Sequence, residues 1–250
     1  ADRPTSKIDI GDGQTIRQAN VFENHILFNA NLEENVSVAN DTLIHNAIYT
    51  AVLKKGPVHI NAPFEEPLYD IVSELSVSPK AIEQPKQESV AINWDFLQSS
   101  WDKAAKKLIL IGVQDQNVIP EHIIQQWNLD PSIVVLTEVT SNIRTSNFIN
   151  SIDSLITSFT DAEFKMLQPD ILISIGGMVV SKRIKKFFRS YKPAAHWHVD
   201  LLRAYDTFGA LTQHVVATPS TFFSKMTYGQ TASNYQQNIL NCYNSLREHQ

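Results

Sequence analysis

Gly56-Pro-Val-His-Ile-Asn-Ala-Pro-Phe-Glu-Glu-Pro-Leu-Tyr69 is the stretch that decides how the chain is organised. Gly56-Pro57 stops a helix, Val58 to Ala62 has the character of a buried strand, and Pro63 and Pro67 forbid its continuation. The string reads as the last strand of one domain and the exit from it. It lies roughly a quarter of the way along 250 residues, whereas a domain of ordinary size needs roughly 100–150. The chain opens at Ala1-Asp-Arg-Pro4, with neither an initiator Met nor a targeting segment. Together these features read as an excised piece of a longer protein.

Working outward, Asn40 to Lys55 is the clearest helix. Asn40 or Asp41 is placed to cap it, and Leu43, Ile44, Ala47, Ile48, Ala51 and Val52 form one apolar stripe. Lys54 and Lys55 suit its negative end, and Gly56 sits where a C-terminal cap belongs. Helix followed by buried strand is the ending of an α/β unit, so residues 1–69 read as the C-terminal part of such a domain. Residues 70–93 are polar and carry Pro79 and Pro85, which makes them a linker with one short helical possibility near 71–75.

A second module is expected over 94–232. Trp94, Leu97 and Trp101 have helical spacing, and Lys107 to Gly112 is a buried strand. Pro120 to Trp127 reads as a helix with Pro in its first turn, and Ser132 to Val139 as a strand. Asn147 to Phe159 has the helical period, Asp170 to Ile175 is a strand closed by Gly176-Gly177, and Ser181 to Tyr191 is a helix. Ala195 to Asp200 and His214 to Ala217 add two strands, and a terminal helix, Tyr235 to Glu248, lies within 233–250. Short apolar strands alternating with helices predict an α/β fold, a parallel sheet with helices on both faces.

Net charge −5 argues against nucleic acid or an anionic membrane as the main partner. Cys242 is the single cysteine, so no internal disulfide forms and a reducing, cytoplasmic setting fits. The longest apolar runs, such as Leu108 to Val113, fall far short of the roughly 20 residues that span a bilayer.

The strongest electrostatic feature is Lys182-Arg-Ile-Lys-Lys-Phe-Phe-Arg-Ser-Tyr-Lys192, six cations and no acid. Ile184, Phe187, Phe188 and Tyr191 supply its buried stripe, and Lys185, Lys186 and Arg189 read as a solvated basic face. Lys182 and Arg183 differ, because they follow strand-Gly-Gly and stand in a first helical turn, where cations oppose the dipole. Beyond the carboxyl end of a strand, free backbone N–H groups and two cations would suit a carboxylate or phosphate. His196-Trp-His198-Val-Asp200 places two imidazoles and a carboxylate on one strand face, a metal set weighed against a coincidence of alternation and set aside. Glu65-Glu66 reads as solvated loop charge. Neither a Walker A loop, a Gly-x-Ser-x-Gly elbow nor a Gly-x-Gly-x-x-Gly fingerprint is present. Gly11-Asp-Gly13, 26 further residues and Asn40 have the spacing of the thiamine-diphosphate magnesium motif, but no buried strand precedes the Gly and Asn40 stands at a helix start.

Ala1-Asp-Arg-Pro4, Gly11-x-x-Gln14-x-Ile16-x-Gln18 and Gly56-Pro-Val-His-Ile-Asn-x-Pro-Phe-x-Glu-Pro-Leu68 resemble the close of the pyrimidine-binding domain of the 2-succinyl-5-enolpyruvyl-6-hydroxy-3-cyclohexene-1-carboxylate synthases, thiamine-diphosphate enzymes of menaquinone biosynthesis. Ile175-Gly-Gly-x-x-x-Ser-Lys182-Arg183 and Trp197-His-Val-Asp200 are similar to their central domain, which is built like the third, Rossmann-like domain of transhydrogenase. The resemblance implies a transferase that decarboxylates 2-oxoglutarate and adds the resulting carbanion to isochorismate, using thiamine diphosphate and magnesium, in a dimer or tetramer. It implies substrate contacts by Arg3, Gln14, Lys182 and Arg183. Gly13 stands where the family often has Asn, and Arg3 also reads as a solvated terminal charge. The activating glutamate would lie upstream of Ala1 and the magnesium–diphosphate site downstream of Gln250, so no catalytic, cofactor or metal residue is expected here and the piece alone would be inactive. Two other readings remain open: the flavin-binding central domain of another thiamine enzyme, and a non-catalytic scaffold.

Overall fold

The computed structural model describes residues 2–65, 69, 71, 73, 74, 77, 78 and 90–248. The helix expected near 71–75, Glu66, Pro67 and most of the 70–93 connector lie outside the described residues. The chain divides into two compact units, Ala1–Glu88 and Ser89–Gln250.

In the first unit, strand β1 (Asn29–Asn31), helix α1 (Val38–Lys54) and strand β2 (His59–Asn61) form a parallel pair with a helical crossover. The sequence shows no strand signal at β1, whose Asn-Ala-Asn is poor in strand-forming residues. The strand expected over 58–62 is shorter and only half-buried, because β1 offers three residues to pair with. Ser37, not Asn40 or Asp41, caps α1, accepting from the Asn40 N–H at 3.1 Å. At the other end Lys55 takes the left-handed conformation (φ 44°) expected of Gly56. A Cβ at Gly56 would meet only the end of the exposed Leu27 side chain, which would have to turn aside. Of the apolar stripe on α1 only Ala47 is buried, and Ile48 and Val52 stay exposed.

The second unit is a three-layer α/β/α domain of Rossmann type. Strands β3 (Lys107–Ile111), β4 (Ile133–Thr137), β5 (Ile171–Ile175), β6 (Ala195–Val199) and β7 (Gln213–Val215) make one parallel sheet in the order β4-β3-β5-β6-β7. β3, β4 and β5 are buried along their full length, which is why they read as unbroken apolar runs. Ile109 and Ile111 face one core with helices α2 (Trp94–Lys103), α3 (Glu121–Leu129) and α7 (Pro219–Lys225). Leu108 and Leu110 face the other with α4 (Ile152–Thr157), α5 (Asp161–Leu167), α6 (Lys182–Ser190) and α8 (Tyr235–Glu248).

Two local expectations are corrected. The helix expected over 147–159 shrinks to α4, because Ile149 pairs with the outer edge of β4, accepting from Thr137 N and donating to Val135 O. That contact covers an otherwise open sheet edge. Pro120 occupies the position just before α3, without a side-chain capping bond, rather than standing in its first turn. Neither α5, with its Thr160–Glu163 capping box, nor α7, capped by Thr218, is expected from the sequence reading. No helix among the described residues is long and apolar enough to cross a membrane.

Candidate functional site

The parallel register is flush, with Ile111 paired to both Thr137 and Ile175, and Ile175 to Val199. Gly112, Glu138, Gly176 and Asp200 therefore leave the sheet at one level and build its carboxyl edge. The strand order reverses between β3 and β5, the place where open α/β sheets bind ligands.

Backbone closes that place. Gly112 N–H donates to Ile175 O at 2.9 Å, and Gly177 N–H donates to Val113 O at 2.7 Å. Gly176 holds φ 76°, and a Cβ on Gly112 would collide with Gly177 O. Both glycines are thus demanded by the approach of one loop to the other.

Beside this closure, both carboxylate oxygens of Glu138 accept backbone hydrogen bonds from the loop that feeds α6. Val180 N–H and Ser181 N–H each lie 2.7 Å away. Glu138 is itself anchored, since its N–H donates to Ser141 Oγ at 2.9 Å and Ser141 Oγ donates to Ile111 O at 2.6 Å. Ser181 caps α6, accepting from Ile184 N–H at 3.1 Å and donating to Asp153. Glu138 thus takes the two N–H groups just before the helix and Ser181 that of Ile184. A carboxylate on the first residue beyond a strand was the signal for Glu138, which sequence reasoning missed.

Lys182 and Arg183 open α6, are exposed, and have no hydrogen-bond or ion-pair partner among the described residues. Arg189 is not merely solvated: its guanidinium donates to Thr207 O at 3.0 and 3.2 Å, and Lys192 Nζ donates to Gly209 O at 2.7 Å. Those two cations brace the loop after β6.

The His196, His198 and Asp200 side chains do not converge on a metal position. Ser174 Oγ stands between the imidazoles, 2.7 Å from His196 Nε2 and 2.8 Å from His198 Nδ1. Asp200 instead accepts from the N–H groups of Leu202 and Arg203. Among the described residues no group of three His, Cys, Asp or Glu is arranged to hold a metal. His196 Nδ1 is buried without a partner. An orphan lone pair is tolerated better than an orphan N–H, so we assign the proton to Nε2. His196 then donates to Ser174, and Ser174 donates onward to His198. Burial, with the His198 charge second and Asp206 opposing, holds His196 down to about 4. Burial also lowers His198, against the pull of Asp200. Ser174 was legible only as one polar residue in an apolar strand.

In the first unit Arg3 is half-buried and Gln14 exposed. What this unit does bring together is Asp2, whose carboxylate accepts from Gln18 Nε2 and Asn61 Nδ2 at 3.0 Å each, while Asp2 bridges Pro63. Asn40 spends its amide on Glu33 and Asn35, at 2.9 Å in all three bonds. The magnesium-motif spacing is therefore not a cation site, and the described residues do not fit a magnesium-bound diphosphate.

No family model matches the chain. It is 59% identical over 229 residues to the 2-succinyl-5-enolpyruvyl-6-hydroxy-3-cyclohexene-1-carboxylate synthase of Flavobacterium johnsoniae, a match covering 90% of this chain and 41% of that protein. The synthase of the same name from Flavobacterium psychrophilum is 59% identical, again over 90% of this chain and 41% of the relative. That of Christiangramia forsetii is 42% identical over 85% of this chain and 41% of its own length. The chain thus spans about two fifths of the length of these relatives.

Proposed function

Because the chain belongs, along nine-tenths of its length, to the family of 2-succinyl-5-enolpyruvyl-6-hydroxy-3-cyclohexene-1-carboxylate synthases, we propose that it is the substrate-facing portion of such an enzyme. In that reading the whole protein is a cytoplasmic, homo-oligomeric transferase of menaquinone biosynthesis. It removes carbon dioxide from 2-oxoglutarate and adds the remaining succinyl carbanion equivalent to isochorismate. In that reading thiamine diphosphate with magnesium, held by residues outside those described, would supply the electron sink for the decarboxylation.

The observation that carries the reading for this chain's own residues is the pair of exposed cations at the carboxyl edge, Lys182 and Arg183, unpartnered among the described residues. Both substrates are dicarboxylates. A guanidinium and an ammonium in one helical turn can each hold a carboxylate by charge-assisted hydrogen bonds. Arg3 and Gln14 are further substrate contacts by the family resemblance alone. Orientation of this kind lowers the barrier of a two-substrate step without any proton transfer by the holding residues.

Lys182→Ala and Arg183→Ala in the full-length protein test the role. Weaker apparent binding of 2-oxoglutarate or isochorismate is expected, whereas unchanged kinetics would leave the domain a scaffold. The 250-residue chain, assayed alone with cofactor, magnesium and both substrates, is expected to form no carbon–carbon bond.

A further inference from the structure

In the first unit one carboxylate ties three separate segments together. Asp2 lies beside the end of β2, where its N–H donates to Ala62 O at 2.8 Å and its carbonyl accepts from Phe64 N–H at 3.0 Å. The side chain then reaches the strand itself, Oδ2 accepting from Asn61 Nδ2 at 3.0 Å. Its other oxygen, Oδ1, accepts from Gln18 Nε2 at 3.0 Å and from the Arg3 N–H at 2.9 Å. An ionised carboxylate only accepts, so Asn61 has to turn its amide nitrogen toward Asp2. Asn61 is 8% exposed, and that orientation leaves its Oδ1 buried without a partner. The tie to Asp2 is thus made at the expense of the other end of the same amide.

We propose that Asp2 is a positioning residue for the substrate contacts of the first unit, an inference that rests on the substrate reading of Arg3 and Gln14. The two segments it joins to β2 are the ones that carry them: Arg3 is its neighbour in the chain, and Gln14 lies four residues before Gln18. Residues 8–22 form neither helix nor strand. Regular backbone pairing therefore does not fix where Gln14 stands, and the charge-assisted bond from Gln18 to Asp2 supplies a fixed point. Arg3 gains in the same way, because the backbone from which its guanidinium extends is held at Asp2 on both the N–H and the carbonyl side. A cation on a fixed stem loses less freedom when it takes up a carboxylate, so the tie strengthens binding without touching the substrate.

The test is a double-variant cycle in the full-length protein. Apparent KM for 2-oxoglutarate and for isochorismate, kcat and melting temperature are measured for Arg3→Ala, Asp2→Ala and the two combined. Asp2→Ala is expected to raise, by about tenfold, the KM of the same substrate whose KM rises in Arg3→Ala. In the combined variant it is expected to add little, because the side chain it positions is gone. An unchanged KM in Asp2→Ala, whatever its melting temperature, leaves Asp2 a stabilising contact and overturns the proposal. Additive effects on KM overturn it as well, since Asp2 would then act independently of Arg3. If Arg3→Ala itself moves neither KM, the substrate reading of Arg3 fails, a distinct result that takes the proposal with it. Should Asp2→Ala fail to fold, Asp2→Asn enters the same cycle. It keeps the shape and one acceptor oxygen, so a smaller rise is expected, and no rise overturns the proposal.

Discussion

Gly112 and Gly177 meet backbone against backbone at the carboxyl edge, so closely that Gly177 O fills the space a Cβ on Gly112 would need. The contact joins the loops after two neighbouring parallel strands.

Gly112→Ala should therefore destabilise the unit by about 1–3 kcal/mol, the range for forcing extra volume into a packed site. Denaturant unfolding measures it. An unchanged midpoint would mean that the two loops separate freely in solution.

Stability should fall on acidification. His196 has an ordinary value of 6.5 and is held at about 4 in the folded chain. Its neutral form is thus favoured by folding, so the contribution is complete above 6.5, shrinks as pH drops toward about 4, and is lost below it. The shift corresponds to about 3 kcal/mol across that window. His198, lowered by the same burial, adds in the same direction. His196→Gln should flatten the pH profile between those limits, and a profile as steep as the parent's would assign the titration elsewhere.

Lys107 is 1% exposed at the amino end of β3. Its ammonium donates to Ala104 O and Ser132 Oγ at 2.8 Å and to Thr231 Oγ1 at 3.3 Å, above the Trp101 ring at 5.3 Å. Three donors meet three acceptors, so the charge is fully coordinated without a direct carboxylate. Lys107→Ala should destabilise by about 2–5 kcal/mol, as truncation of a buried long chain does. Lys107→Met, which keeps the stem on Trp101, separates packing from hydrogen bonding; a milder loss for Met than for Ala is the expected order.

Ser181→Ala removes the α6 cap and the partner of Asp153, and should destabilise by about 0.5–2 kcal/mol. Calorimetry reads the loss. A Ser181→Thr variant keeps the capping oxygen and should recover most of it; no recovery would place the effect in packing rather than capping.

Much of the second unit is legible in the sequence because its strands are short apolar runs that suit only a sheet covered on both faces. The terminal helix falls at Tyr235–Glu248, where its apolar spacing puts it. The place of Lys182 and Arg183 in a first helical turn is legible too, from the strand-Gly-Gly before them. Less could be read where local and long-range preferences compete. The 147–159 segment has helical period, yet Ile149 goes to the edge of β4. In the first unit, the stripe on α1 predicted a covered face, and Ile48 and Val52 are exposed.

By itself, then, the sequence determined the alternation of strands and helices, the basic helix start and the likeness to the synthase family, because each is written in neighbouring residues. Only the tertiary structure decided that Glu138 would meet Val180 and Ser181, 42 and 43 positions away, and that Ser174 would stand between His196 and His198. Those meetings depend on strand order and flush register, which bring side chains of distant origin to one level of the sheet. No local pattern encodes them, because hydrogen bonds between loops form only after the strands beneath have packed.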